Sequence, residues 1–374
     1  MSLQVTVVED ESAWNGIVND AGGHPLQLWG WGALKARYEW DVTRLVVHDD
    51  EKVIGSAQVL FRKLPVSCLA YIPRGPQAAE GDRVRVLQAI ADYVKTNRKP
   101  LALTIEPDWP EPFSPVAQPA KGDKGPSADE VIAQKLTEPV SGWLAGLQAA
   151  GFSRSENTGL IPHTLIVDLT PDEDAILSSF TSTTRQNVRK SLRNKEVRFG
   201  EVVHDRDLDA VLAINRATGE RNGFAVHDDG YHRGVRDLMG GDSHLLAAWE
   251  DEQVVAFVWL VASARTAFEL YGGVSPRGQK LRLNYGLKFY AMQQMKAIGV
   301  QRYDFNGLLN DGISDFKRQF AKHEDQLIGT WDKPLSPLYA PYSRALPVVR
   351  KTAKTYLPQA KSQVSSAIGK LRRK

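Results

Sequence analysis

The order of apolar and polar positions along the chain predicts two β-hairpins. Residues 44–60 (RLVVHDDEKVIGSAQVL) and 245–261 (LLAAWEDEQVVAFVWLV) each place a four-residue polar turn between two apolar runs. Apolar runs of this length on either side of a short polar turn are typical of paired, buried strands. The two segments lie 201 positions apart, so the turn at 49–52 aligns with the turn at 250–253.

The same offset relates a helix and a strand that follow each hairpin. Residues 82–97 place apolar side chains on one helical face, and residues 283–298 carry a similar stripe. Short strand-like segments come next, at 101–106 and 302–305. The chain therefore carries the order hairpin, loop, helix, strand twice, which predicts two α/β units of one architecture. Sequence identity between the two copies is slight, so two unrelated α/β segments are the alternative.

Two connections separate the predicted elements. Residues 107–139 contain seven of the 20 prolines and few large apolar residues, a composition that predicts a mobile loop. A second break lies near 159–163, ahead of the apolar run 164–169, and we expect the second unit to begin there.

Composition narrows the class of protein. With 374 residues, 42% hydrophobic and 24% charged, the chain has the make-up of a globular protein of two to three domains. The single cysteine, Cys68, excludes an internal disulfide and a cysteine-based zinc cluster. The first residues do not resemble a signal peptide, and apolar runs stay far below the ~20 residues of a membrane span. A cytoplasmic location is therefore expected.

Charge is distributed unevenly. The net charge is +3, but residues 350–374 contain eight of the 47 basic residues and no acidic residue. The remaining chain has 39 basic and 44 acidic residues and is mildly acidic. Residues 350–374 thus form a basic C-terminal tail, with Val364, Ala367, Ile368 and Leu371 close to one helical face. Such a tail suits an anionic membrane surface or nucleic-acid phosphates, and a solubilising end is the alternative.

Several segments combine charged, aromatic and glycine residues in ways that packing alone does not require. Each also has a structural explanation, as core or solvated surface, when it is taken by itself. The residues of interest are Lys35 at the start of a predicted helix, Arg74 in a rigid turn, Arg221 at a helix end, and Tyr271 before two glycines.

Two further segments carry cations that suit anionic groups. In the predicted helix 184–193, Arg185, Arg189 and Arg193 fall at i, i+4 and i+8 and would form one positive ridge, either for phosphates or simply solvated. Phe316 and Lys317 follow a glycine-bearing loop, where a lysine could balance a developing oxyanion or contact a phosphate.

Taken together, the segments resemble the Fem-type peptidoglycan peptidyltransferases, which use aminoacyl-tRNA to build interpeptide bridges. The similarity covers most of residues 20–340. Its ordered markers are LQLWGWGALK, YIPRGP, TTRQNVRKSL, ERNGF, YGGVS with LNYGLKFYAM, YDFNG and ISDFKRQF.

The resemblance implies a fold of two tandem acetyltransferase-like (GNAT-type) α/β domains with mixed sheets. The expected division is 1–162 for the first domain, completed by 329–349, and 163–328 for the second, followed by the basic tail. The chain has no room near 225–245 for the long helical arm of some relatives, so the compact, arm-less form is expected.

The resemblance also implies roles for individual residues. Lys35 and Arg221 match residues that hold the diphosphate of the muropeptide precursor, and Tyr271 matches a tyrosine of the same cleft. Phe316 and Lys317 match a pair near the acceptor end of the aminoacyl-tRNA, and Lys317 is expected to stabilise the oxyanion.

The remaining expectations concern the base, the substrates and the partners. Glu106 stands where relatives usually carry Asp, so its role as a base is in doubt; Asp108 and the substrate itself are the other candidates for accepting the proton. Arg74 is expected to contact substrate and the arginine ridge to contact tRNA. Because the tRNA ester is already activated, no cofactor or metal is needed. The partners expected are aminoacyl-tRNA, a UDP-linked or lipid-linked muropeptide, and the inner membrane surface through the tail.

Two other functions share parts of this pattern. An acyl-CoA-dependent N-acyltransferase would have the same fold, but the Gly-rich pyrophosphate turn is missing, because 277–280 (RGQK) has the wrong spacing. A non-catalytic protein that binds anionic ligands is the second alternative, and the presence of Lys317 counts against it.

Overall fold

The computed structural model describes residues 3–65, 67–111, 116–117, 142–155, 157–309 and 311–345. The basic tail 350–374 and most of the predicted loop 107–139 lie outside the described residues. The predicted membrane or nucleic-acid contact of the tail and the predicted mobility of the loop therefore stay predictions. No helix of the described part is long and apolar enough to cross a membrane.

The strands form three sheets. In chain order they are β1 (Gln4–Val7), β2 (Trp40–Asp49), β3 (Lys52–Lys63), β4 (Cys68–Pro73), β5 (Gln77–Ala78), β6 (Ala102–Glu106), β7 (Val116–Ala117), β8 (Ser153–Arg154), β9 (His163–Thr164), β10 (Ile166–Asp168), β11 (Val197–Glu201), β12 (Ser243–Glu250), β13 (Gln253–Ala262), β14 (Thr266–Val274), β15 (Arg302–Asp304), β16 (His323–Gln326) and β17 (Trp331–Pro334).

The α-helices lie between these strands. They are α1 (Glu11–Asp20), α2 (Trp29–Ala36), α3 (Arg83–Asn97), α4 (Trp143–Ala149), α5 (Glu173–Ser179), α6 (Ser182–Leu192), α7 (Asp205–Asn222), α8 (Asp229–Met239), α9 (Pro276–Lys280), α10 (Leu283–Ala297) and α11 (Gly312–Lys317).

Each large sheet contains one copy of the repeat. The first has the order β1-β2-β3-β4-β6-β17-β8 with β5 beside β3, and the second has the order β10-β15-β14-β13-β12-β11. β7, β16 and β9 form a small third sheet. In both large sheets a hairpin is followed by a third antiparallel strand, a helix, and a strand parallel to that third strand.

The two hairpins agree in detail. β2 and β3 pair with a bulge at Val47/His48, and β12 and β13 pair with a bulge at Ala248/Trp249, the same place after a shift of 201 residues. The helices α3 and α10 each have 15 residues. The predicted duplication of the hairpin, helix and strand is therefore confirmed, and with it the expected class of two tandem acetyltransferase-like α/β units with mixed sheets.

The units differ where the parallel strands end. In the first, β4 and β6 stay paired to Pro73 and Glu106. In the second, β14 pairs with β15 only as far as Phe268 and continues to Val274 paired with β13 on its other side. This divergence opens the second sheet at one end.

The units share a hydrophobic core. α1 and α2 of the first unit pack with α7, α8 and one face of the second sheet, around Trp14, Leu208 and Trp259. α2 and α8 approach so closely that a Cβ on Gly30 would lie 2.2 Å from the carbonyl oxygen of Leu238. Gly30, the first glycine of the LWGWG segment, is therefore required by helix packing.

The chain returns to the first unit near its C-terminus. β17 pairs antiparallel with β6 and with β8, and Trp331 is fully buried there. This pairing supports the predicted completion of the first domain after residue 328, while the domain boundaries themselves stay a prediction. The six residues between α7 and α8 form a short link, so there is no helical arm at this point of the described chain.

Candidate functional site

Lys35 lies in an aromatic recess between the two units. On α2 it is one turn after Trp31, and its Nζ lies 4.5 Å from the centroid of that ring. Nζ also donates a hydrogen bond of 2.7 Å to the hydroxyl oxygen of Tyr231, which comes from α8 of the second unit. Burial lowers the pKa of Lys35 to about 8. The ammonium is thus half-buried and has no carboxylate partner among the described residues.

Tyr271 lies behind this recess, at the end of β14. Its ring centroid is 4.7 Å from that of His232 and 6.1 Å from that of Trp259. His232 is held in place because its Nδ1 donates to the carbonyl oxygen of Asp228 and its Nε2 accepts from Asn215. Burial raises the pKa of Tyr271, so its hydroxyl stays protonated and can donate.

Arg221 lies in the last turn of α7. It is exposed, and its guanidinium has no hydrogen bond or ion pair to the described residues. Thr218, one turn earlier, lies against Gly273 of β14, where an added Cβ would come within 3.0 Å of the threonine hydroxyl. Arg221 is therefore carried to the strand end that holds Tyr271. Lys35 is connected to Tyr271 through Tyr231 and His232, and Arg221 ends the helix that packs against β14. This region between the units is the junction.

Lys317 lies at the end of α11, near the opening of the second sheet. Its Nζ donates to the carbonyl oxygens of Asn306 and Gly307, the latter at 3.0 Å. Both of these residues have positive φ, 54° and 57°, which turns consecutive carbonyls toward the lysine. Burial lowers the pKa of Lys317 to about 8. An ammonium has three protons, so one remains for a substrate oxygen.

Phe316 has a different environment from its neighbour. Its ring packs edge-on against Tyr285 at 5.0 Å and against Phe320 at 5.2 Å. Asp311 accepts from the backbone N–H of Ser314 and caps the start of α11. These contacts fix the short helix, and so the place of Lys317.

A buried ionic network beside Lys317 was missed by sequence analysis. Lys288 of α10 forms an ion pair with Glu269 of β14, and Tyr303 donates to the same carboxylate at 2.9 Å. The side chains of Lys288 and Glu269 are only 8% and 6% exposed. A Cβ added to Gly272 would lie 3.4 Å from the Lys288 Nζ, so the network lies directly beneath this glycine, which follows Tyr271. The sequence did contain a signal for this network, because Glu269 is the single acidic residue in the otherwise mostly apolar strand TAFELYGGV.

The arginine ridge is smaller than predicted. Arg185 donates to the carbonyl oxygen of Phe180 at 2.6 Å, so it secures the turn before α6. Arg189 and Arg193 are exposed, and they line a shallow depression of about 550 Å³ together with Lys190 and Lys280. The cationic surface therefore follows the second half of α6.

Known proteins share this architecture. The model of the FemAB family matches residues 18–249 and 243–346, more than half of the chain. The chain belongs to the FemAB family.

Individual FemAB relatives agree with this. The chain is 23% identical to the lipid II:glycine glycyltransferase of Staphylococcus saprophyticus, with 85% of this chain and 90% of the relative covered. It is 24% identical to the enzyme of the same name from Staphylococcus aureus strain COL, with 88% and 92% covered. Among solved structures, that of FemX covers 91% of this chain and all of its own, with a TM-score of 0.74 at 20% identity. The Fem-type resemblance inferred from the motifs is confirmed.

The two candidate bases, Glu106 and Asp108, are not placed for proton transfer. The carboxylate of Glu106 accepts from the backbone N–H groups of Gly159 and Leu160 and from the hydroxyls of Tyr71 and Thr330. It is 2% exposed. With its lone pairs occupied in this way, Glu106 ties loop 159–160 to β6 and is not placed to accept a proton from substrate.

Asp108 is engaged in an ion pair. It accepts from Arg302 Nη1 at 2.7 Å. Burial acts to raise the pKa of Asp108, but the guanidinium groups of Arg302 and Arg74 outweigh it and lower that pKa to about 2. Such a weakly basic carboxylate is a poor proton acceptor at neutral pH. The geometry supports neither carboxylate as the base.

Arg74 lies apart from Lys35, in a second cavity that it shares with Asp108. It is 2% exposed, and its Nη2 donates to the carbonyl oxygen of Ile161 at 3.2 Å. The structure therefore does not bring Arg74 together with Lys35, Arg221 and Tyr271. Within the described residues, no group of three or more His, Cys, Asp or Glu side chains could hold a metal ion.

Proposed function

We propose that this chain is an aminoacyltransferase that moves an amino acid from aminoacyl-tRNA to the side-chain amine of a peptidoglycan precursor stem peptide. The observation that carries the proposal is the pair of lysines, Lys35 and Lys317. The fold holds both charged at two separate points, and neither has a carboxylate partner in the part of the chain that the structure describes. Family membership adds to it, because two FemAB relatives are named lipid II:glycine glycyltransferases and are matched over 85–92% of each chain.

The junction at Lys35 suits a diphosphate. A half-buried ammonium with no competing carboxylate and an exposed, unpaired guanidinium on Arg221 provide two positive charges. The Tyr271 hydroxyl adds a donor that stays protonated. Phosphates bind to such sets of cations and donors, and the aromatic walls lower the effective dielectric around them. The diphosphate of a lipid-linked or UDP-linked muropeptide is the group that we assign to this junction.

The surface next to Lys317 suits the tRNA. The start of α6 is bonded to the carbonyl of Gln319, two residues after Lys317. At 1.5 Å per residue, Arg189 and Arg193 lie about 12 Å and 18 Å farther along α6. A single-stranded acceptor end that meets Lys317 and Phe316 would then pass over Arg189, Arg193 and Lys280, whose charges contact its phosphates.

The reaction follows from the chemistry of an ester and an amine. The amine nitrogen forms a bond to the ester carbonyl carbon, the bond from that carbon to the ribose oxygen breaks, and one proton passes from nitrogen to the ribose oxygen. The carbonyl oxygen carries negative charge in between, and the free proton of the Lys317 ammonium stabilises it. Holding both substrates in line supplies a further part of the rate enhancement.

The proton of the attacking amine moves through the substrates themselves in this scheme. Glu106 is saturated with hydrogen bonds, and Asp108 is tied to Arg302. The ribose hydroxyl next to the ester is the polar group nearest to the reacting bond, and it can relay the proton to the leaving oxygen. Substrate assistance therefore replaces the two carboxylates as the route that we favour.

The basic tail gives two further proposed partners. Residues 350–374 lie outside the described residues, so this proposal rests on their sequence. Eight cations without an acid would attract either anionic lipid, which brings the chain to a lipid-linked acceptor, or the phosphates of tRNA.

A transfer assay with Lys317→Met tests the proposal. The variant loses the oxyanion donor, so we expect transfer to fall by at least 100-fold while affinity for the precursor is unchanged. Product is weighed by mass spectrometry after incubation with a panel of charged tRNAs and both acceptor forms. Lys322→Met, at an exposed lysine five residues away, is the matched control. Undiminished transfer by Lys317→Met would remove Lys317 from the mechanism, and absence of transfer by the unaltered chain from every tRNA would refute the function.

A further inference from the structure

A second cavity of about 660 Å³ opens where the first and second units meet. It lies between the tip of the β2–β3 hairpin, the turn after β4, and the residues that precede β14 and β15. Arg265, just before β14, lies at this cavity, and Tyr271 lies six residues farther along the same strand. At about 3.3 Å per residue, the mouth of the cavity at Arg265 is about 20 Å from Tyr271, and the cavity is not lined by Lys35, Arg221 or Tyr271. It is therefore a separate place on the molecule.

His24 supplies a hydrogen-bond donor without an acceptor at this cavity. The backbone N–H of Leu26 donates to its Nδ1 at 3.1 Å, which leaves the ring proton on Nε2. That nitrogen is buried and has no partner, and the side chain is 2% exposed. Burial lowers the pKa of His24, so the ring is neutral and Nε2 is a donor.

Arg74 supplies a second such donor. Its Nε is buried without a partner, although Nη2 is bonded to Ile161. Both side chains rest on Phe268, whose ring centroid is 4.6 Å from that of His24 and 5.8 Å from the Arg74 guanidinium. A buried donor without an acceptor destabilises the fold, and two on one aromatic ring indicate that an acceptor belongs between them.

The charged groups in the interior of the cavity largely balance one another. Arg302 and Asp108 neutralise each other, and Asp82 is paired with Arg85 at 3.0 Å. Asp20 is exposed at the end of α1, where water screens it. Arg74 in the interior lies near the carboxylates of Asp108 and Asp304, which carry the opposite charge.

The mouth of the cavity adds positive charge. The exposed Arg265 has no ion pair to the described residues, and its side chain lies against Gly22. Lys52, at the tip of the β2–β3 hairpin, is exposed as well. The lining therefore combines a cationic mouth with two unsatisfied donors in the interior.

We infer that this cavity binds the oxyanion of a small organic molecule, a carboxylate or a phosphate group, between His24 Nε2 and Arg74 Nε. Arg265 attracts the ligand at the mouth, and the two buried donors fix the oxyanion. The site is independent of the diphosphate junction at Lys35 and of Lys317.

Isothermal titration calorimetry on the full chain with inorganic phosphate and, separately, with acetate tests the inference. We expect saturable binding of at least one anion, and whichever binds more tightly identifies the ligand group. Arg74→Lys, which keeps the charge but lacks Nε, should weaken that binding about tenfold or more, the loss of one charge-assisted hydrogen bond. Arg265→Met, which removes the charge at the mouth, should weaken it several-fold. Lys35→Met should leave it unchanged, because Lys35 lies in the other site.

Arg198→Met is the matched control, since Arg198 is an exposed arginine stacked on Trp249 of the second sheet. Circular dichroism checks that each variant folds, and if Arg74→Lys does not, Arg265→Met decides alone. The inference is overturned if neither anion binds saturably, or if folded Arg265→Met binds like the unaltered chain. A loss of binding in Lys35→Met with none in Arg265→Met would assign the anion to the diphosphate junction instead. None of these outcomes depends on transfer activity.

Discussion

Lys35 and Lys317 are two buried ammonium groups that the protein keeps charged by different means. Lys35 lies against the faces of Trp31 and Tyr231, where the ring electrons compensate part of the lost hydration. Lys317 instead donates to two backbone carbonyls. In each case burial lowers the pKa to about 8, so the charge is present at neutral pH and is lost just above it.

If the proposed diphosphate binding at Lys35 is right, the affinity for a diphosphate should depend on pH. A lysine with a pKa of about 8 is mostly protonated at pH 7 and about one-tenth protonated at pH 9. If the Lys35 charge holds the diphosphate, the Kd for a muropeptide diphosphate should rise by up to about tenfold between those pH values. Calorimetric titration without tRNA measures this directly and avoids hydrolysis of the ester.

The variants separate Lys35 from other groups that titrate in the same range. Lys35→Arg stays charged throughout and should show a flat profile. Lys317→Met should retain the dependence of the unaltered chain. A rise of the same size in Lys35→Arg would mean that another group causes it.

At the scale of elements, the ion pair between Asp108 and Arg302 connects the two sheets. Asp108 follows β6 of the first sheet, and Arg302 begins β15 of the second. The folded-state pKa of Asp108, about 2, is below the ordinary 3.8, so the pair stabilises the fold above pH 3.8. That contribution, about 2 kcal/mol, is lost as pH falls toward 2.

Asp108→Asn should therefore destabilise the protein. It leaves the Arg302 charge buried without a partner, and we expect the free energy of unfolding to fall by about 3–5 kcal/mol. Urea denaturation at pH 7 measures the change. The double variant with Arg302→Met should lose less than the two single variants added together, because the stranded charge is gone. Additive losses would contradict a direct interaction.

Local patterns were sufficient to predict the elements but not the partners of their polar groups. Hairpins and amphipathic helices depend on residues near in sequence, so both copies of the repeat were predicted with ends within a few residues of those observed. Glu106 looked like a candidate base because its partners Gly159 and Thr330 are 53 and 224 positions away. The Glu269–Lys288 pair and the anion cavity likewise depend on contacts between distant segments.

The arginines illustrate the same limit within one helix. The i, i+4, i+8 spacing correctly predicted that Arg185, Arg189 and Arg193 lie near one face of a helix, which the structure shows as α6 with Arg193 just after its end. Spacing could not indicate that Arg185 bends back to the carbonyl of Phe180 and leaves the ridge. For Lys35 and Lys317, motif resemblance gave the positions, but burial and its effect on the pKa required the fold.

At the scale of the whole molecule, several kinds of contact join the two units within the described residues. A common core links α1 and α2 to the second sheet, the Asp108–Arg302 pair links the sheets, and β17 carries the chain back to the first unit. β17 lies between β6 and β8, so its loss would leave both without that neighbour. The first unit therefore depends on a segment that comes after the whole of the second.

Chains that end at different points test this dependence. A chain of residues 1–349 keeps β17 and should fold as the full chain does. A chain of residues 1–328 loses the buried Trp331, worth about 3–5 kcal/mol, together with the pairing of β6. That loss is comparable with the whole stability of a domain, so the first unit should not fold. Circular dichroism and size-exclusion chromatography distinguish the two, and a fully folded 1–328 chain would contradict the role of β17.

Because residues 1–349 include every residue that the structure describes, that chain isolates the contribution of the basic tail. If the tail contacts anionic lipid, the shortened chain should no longer sediment with phosphatidylglycerol liposomes, while its KM for aminoacyl-tRNA is unchanged. If the tail contacts tRNA, that KM should rise several-fold and lose part of its salt dependence, because fewer counterions are released on binding. Liposomes of neutral lipid are the control, since electrostatic attraction needs the anionic headgroup. Unchanged sedimentation together with an unchanged KM would exclude the tail from both roles and leave partner binding to the folded units.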